Sequence, residues 1–87
     1  MPTPEIIERV RKLDEELGET QPDPAKAGHV AELRKHIETV LAEPEHRPHY
    51  KSLGDKLLFH YVGFQIDHPK LAASMESLVN TLATVGL

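Results

Sequence analysis

Six histidines in 87 residues are the side chains of this sequence best suited to chemistry. His46 and His49 flank Pro48, with Glu43 and Glu45 close by. A His-x-x-His pair beside carboxylates suits a divalent ion such as zinc or nickel. His46, His49 and Glu45 are therefore a candidate metal site, and a metal-binding or metal-sensing protein is one expectation. Against it, the segment reads as a polar connector in which both rings are solvated. No third ligand is fixed by spacing, and the helical His-Glu-x-x-His pattern is missing. His29 and His36 lie seven residues apart, on one flank of a helix if the segment is helical. Paired across a seam between copies, they would make association sensitive to pH; otherwise they line the rim of a core. His60 stands among apolar neighbours, where it either bonds a buried partner or, with Tyr61, lines the mouth of a groove for a hydrophobic peptide or acyl chain. Asp67-His68 precedes Pro69 and fits a helix start better than an acid–base pair. There is no cysteine, no Gly-rich phosphate loop and no nucleophile elbow. Ser52, Ser74 and Ser77 fall at helical positions, where hydroxyls bond to backbone or solvent. The chain thus reads as non-enzymatic, with no cofactor.

The elements that hold these residues are written in the apolar spacing. Ile6-Val10-Leu13-Leu17, Val30-Leu33-Ile37-Val40, Leu53-Leu57-Tyr61-Phe64 and Leu71-Met75-Leu78-Leu82 recur at three- and four-residue steps, as one face of an α-helix requires. The first helix starts at Thr3-Pro4-Glu5, with a hydroxyl cap, proline in the first turn and a carboxylate at the positive end of the dipole. It is expected to stop at Gly18. Asp23-Pro24 opens the second helix, which ends before Pro44. Residues 44–49 form a connector, the third helix runs from Tyr50 or Lys51 to Ile66, and Pro69 breaks or kinks the chain. The fourth helix runs from Pro69 to Val85 and closes at Gly86. Short connections favour antiparallel neighbours. The expected fold is all-α: four short amphipathic helices in two antiparallel helical hairpins, residues 3–43 and 50–86, within a single domain spanning 1–87.

Composition narrows the setting. Residues 1–45 hold eleven Asp/Glu against six Lys/Arg, whereas 46–87 hold three against four. An acidic first half lacks the clustered positive charge that nucleic acid binding needs. No apolar run approaches the ~20 residues of a membrane span. Lys51, Lys56 and Lys70 are too scattered for a basic amphipathic anchor. Met-Pro-Thr-Pro-Glu has no basic region followed by an apolar core, so no secretory signal is expected and the cytoplasm is the expected location.

One element departs from the pattern. Leu57 to Ile66 is apolar on nearly every side, and all four aromatics (Tyr50, Phe59, Tyr61, Phe64) lie in the third helix. A helix apolar all round wants cover all round, and four helices of this length cover only about half of it. Leu58, Phe59, Val62 and Ile66, with Met75 and Leu82 of the fourth helix, are the expected interface. The expectation is an interaction or scaffold protein that self-associates through helices three and four, as a homodimer or higher oligomer, or that docks another protein.

The C-terminal segment from His68 to Leu87 resembles a small bacterial family classed as domain of unknown function 4404. The shared pattern is His-Pro-x-Leu, an alanine-rich amphipathic helix, then Leu-Ala-x-x-Gly and an aliphatic residue. It is met here at His68, Pro69, Leu71, Leu82, Ala83, Gly86 and Leu87. Leu13, Asp14, Glu15, Glu16 and Leu17 are also similar. The resemblance implies an all-helical, coiled-coil-like protein with no assigned activity. Members usually carry a charged, amphipathic third helix, and the apolar run here departs from that.

Overall fold

Each helix of this chain begins where a proline enters its first or second position, a place where a missing N–H costs nothing. The computed structural model describes residues 3–87. Helix α1 spans Pro4–Glu19, α2 Pro24–Ala42, α3 Arg47–Gln65 and α4 Pro69–Thr84. Two caps are made by side chains. Thr3 Oγ1 accepts from the Ile6 N–H at 3.3 Å, and Asp23 Oδ1 accepts from the Lys26 N–H at 3.1 Å. α4 ends in a paired C-cap: the Leu87 N–H donates to the Leu82 carbonyl at 2.8 Å and the Gly86 N–H to Ala83 at 3.2 Å. Gly86 carries φ 79°, the left-handed conformation this cap needs.

The helices form a ring: α1 packs on α2, α2 on α3, α3 on α4, and α4 back on α1. With principal extents of 36 × 22 × 18 Å, the helices lie along the long axis of a four-helix bundle. Its centre is filled by the expected stripes of α1, α2 and α4, joined by Tyr50, Leu53, Leu57 and Phe64 of α3. No helix among the described residues is long and apolar enough to cross a membrane.

Three local expectations are corrected. Gly18 does not stop α1; it lies inside the helix, and the cap falls at Thr20, whose N–H reaches the Glu16 carbonyl at 3.0 Å. A Cβ at Gly18 would meet the Arg34 guanidinium at 3.1 Å, so the bare residue admits the Arg34–Asp14 ion pair (3.0 Å) across the α1–α2 seam. α3 starts earlier than expected, at Arg47, because Pro48 sits at a permitted early position rather than acting as a break. The buried Tyr50 hydroxyl then donates to the Pro44 carbonyl at 2.6 Å, tying the connector to the helix it opens. Tyr61 is only partly buried; His60 takes the expected inward place. Pro69 separates α3 from α4 rather than bending one helix.

Candidate functional site

α3 has two apolar faces, and only one is used by its own chain. Tyr50, Leu53, Leu57, His60 and Phe64 turn inward. On the opposite side Leu58 is 59% exposed, Phe59 76%, Val62 71% and Ile66 88%. Steps of three and four residues place these four on one outward stripe. Gly63 lies in it, with nothing within 4 Å of where a Cβ would stand. Four of the five large exposed apolar side chains of the described residues are therefore gathered on one helix face.

The stripe has two unlike flanks. Towards α2, His60 is only 5% exposed and its Nε2 donates to Glu32 Oε1 at 2.9 Å. Lys56 Nζ lies 3.4 Å from the same oxygen and 5.7 Å from the centre of the Phe59 ring. The exposed His29 ring stacks on His60 with centroids 4.6 Å apart. The His60 hydrogen bond, helped by the Lys56 charge, holds the Glu32 carboxyl below its usual range. Towards α4 the surface opens into a small apolar cleft of about 110 Å³, lined by Leu57, Leu58, Tyr61, Met75, Glu76 and Val79. Partial burial, with the Glu76 carboxylate beside it, holds the Tyr61 phenol above its usual range.

Of the six expected interface residues, Leu58, Phe59, Val62 and Ile66 lie together on the outer stripe. Met75 and Leu82 do not join them. Both are buried in the chain's own core, Met75 forming only the floor of the cleft. His60 and Tyr61 do not share a groove mouth, because successive helical residues point about 100° apart; His60 turns to α2 and Tyr61 to α4. Within the chain the His29 ring lies against His60.

The connector histidines do come together. His46 and His49 have ring centroids 4.2 Å apart, and His49 Nε2 donates to a carboxylate oxygen of Glu43, not of Glu45, at 3.0 Å. That bond keeps the Glu43 carboxyl below its usual range. His49 lies in the first turn of α3 rather than in a loop. Among the described residues no group of three or more His, Asp or Glu is placed to hold a metal ion. Asp67 is ion-paired with Lys26 of α2, which lowers its carboxyl pKa. Ser74 donates to the Glu16 carboxylate at 2.8 Å, and Arg9 Nη1 donates to Ser77 Oγ at 3.0 Å, so both hydroxyls serve the α1–α4 seam.

Glu32 carries no signal of its own in the sequence. Its three-residue spacing from His29 puts both on one side of α2, but only the packing of α2 on α3 brings His60 to it. No curated protein and no solved structure matches the chain. Residues 6–87, which include all four helices' core stripes and the whole outer face of α3, match the family described as domain of unknown function (DUF4404), and the chain belongs to that family.

Proposed function

We propose that this chain is a non-catalytic interaction module that self-associates through the outer face of α3, flanked by the edge of α4. The observation that carries the reading is the exposure of Leu58, Phe59, Val62 and Ile66 side by side on a helix whose inner face is already packed. Their exposed parts amount to roughly 500 Å², near the upper end of the largest apolar patch on an ordinary monomer. Two such faces together remove on the order of 1,000 Å² from water, about the minimum for a specific interface. Interfaces of that size belong to weak, transient associations rather than permanent complexes.

Sedimentation or light scattering tests this directly. The 9.8 kDa chain is expected to approach about 20 kDa as concentration rises towards ~100 μM. Val62→Glu is expected to hold the monomer mass with unchanged helical circular dichroism, since Val62 touches little of its own chain. A wild-type chain that stays monomeric throughout that range overturns the proposal.

A further inference from the structure

The two flanks of the outer stripe are complementary to each other, not to themselves. On the α2 flank stands a knob, the Phe59 ring, 76% exposed and backed by Lys56, which Glu32 anchors at 3.4 Å. On the α4 flank lies the cleft between α3 and α4, with the exposed Glu76 carboxylate at its edge. Its volume of about 110 Å³ is of the order needed for one six-membered ring. Knob and cleft also stand at the same height along α3, since Leu58 and Tyr61 bound the cleft and Phe59 lies between them in sequence.

Symmetry then selects an arrangement. A two-fold axis across α3 makes the helices antiparallel and sets each flank over its own copy. Phe59 would then face the α2 flank of the other chain, and both clefts would stay empty. A two-fold axis along α3 makes the helices parallel, keeps every residue at its own height and exchanges the flanks. Resting on the self-association reading above, we propose that the chain pairs with a second copy of itself in this parallel arrangement. Each Phe59 ring enters the other's α3–α4 cleft, and each Lys56 meets the other's Glu76. Gly63, two turns after Lys56 and on the same flank, leaves open space there for the other copy.

Charge exchange and a distance measurement test the arrangement. The exchanges are made in a Glu32→Gln background, which keeps an acceptor for His60 and leaves no carboxylate beside position 56. There Lys56→Glu and Glu76→Lys should each weaken the dimer about tenfold, and the double exchange should restore the affinity of that background, because only complementary flanks gain from it. Independently, Asp55→Cys supplies the single thiol of an otherwise cysteine-free chain, at an exposed position one turn before Leu58. Spin labels there should lie within roughly 15 Å in the parallel pair. In an antiparallel pair centred on Val62 the two sites stand about 20 Å apart along the axis alone, at 1.5 Å per residue. A dimer whose labels are far apart, or whose double exchange stays weak, overturns the parallel arrangement and leaves self-association standing. A wild-type chain that remains monomeric overturns both.

Discussion

At the scale of single residues, the contact between Glu32 and His60 satisfies a nearly buried ring from a neighbouring helix. A nearly buried imidazole needs its ring nitrogens satisfied, and Glu32 supplies an acceptor from the neighbouring helix while Lys56 balances its charge. Because this carboxyl titrates below its ordinary value of 4.5, the folded chain binds fewer protons there than the unfolded chain does. The stabilisation is therefore complete above that ordinary value and is lost as pH falls through the lowered one. Glu43 and Asp67 are shifted the same way by His49 and Lys26, and they add to acid sensitivity, Glu43 below the same ordinary value and Asp67 below 3.8. Glu32→Gln should be less stable than wild type to urea at pH 7, and the gap should close as pH is taken from 5 towards 3. A gap that stays constant over that range would show that the Glu32 charge contributes nothing to the α2–α3 seam.

At the scale of elements, α2 offers opposed changes on one helix. Asp23→Ala removes a side-chain cap and should cost about 1 kcal/mol. Gly28→Ala adds a methyl group where no atom lies within 4 Å, and should stabilise by roughly 0.5–1 kcal/mol through helix propensity. Thermal melts of the two variants should move in opposite directions; a fall in both would mean that Gly28 is held for some contact beyond this chain. Much of the fold was legible at this scale because its signals are local. Pro4, Pro24 and Pro69 mark helix starts, Gly86 marks the last cap, and the stripes of α1, α2 and α4 are the observed core. The misreadings arose where a local signal has two physical uses. Proline both breaks helices and starts them, so Pro48 concealed the early start of α3. Glycine both ends helices and admits a neighbour, so Gly18 looks like a stop although it makes room for Arg34. The outer stripe was legible as an excess of apolar residues over what four helices absorb. Met75 and Leu82 belong to the α4 stripe and are spent on the chain's own core, so they were not free for an interface as well. The pairing of His60 with Glu32 depends on how helices rotate against one another, which spacing along the chain does not specify.

At the scale of the whole molecule, the bundle closes its own core and still leaves one helix with apolar surface to spare. The α1–α4 side is finished with hydrogen bonds and charge, through Arg9–Ser77 and Glu16–Ser74, whereas the outer side of α3 ends in bare hydrocarbon. Packing within the ring and pairing between copies should therefore be linked, because a folded chain that dimerises is drawn away from the unfolded state by mass action. Above the dissociation constant, each tenfold rise in protein concentration should add about 0.7 kcal/mol per chain to the apparent stability. Measured as a urea midpoint, wild type should climb with concentration. Val62→Glu should stay flat and coincide with the dilute limit of wild type, because the substituted side chain stands in water when the chain is alone. If the midpoint of Val62→Glu instead fell well below that limit, the outer face of α3 would be contributing to the fold of the single chain. If wild type showed no concentration dependence, α3 would be meeting something other than its own copy.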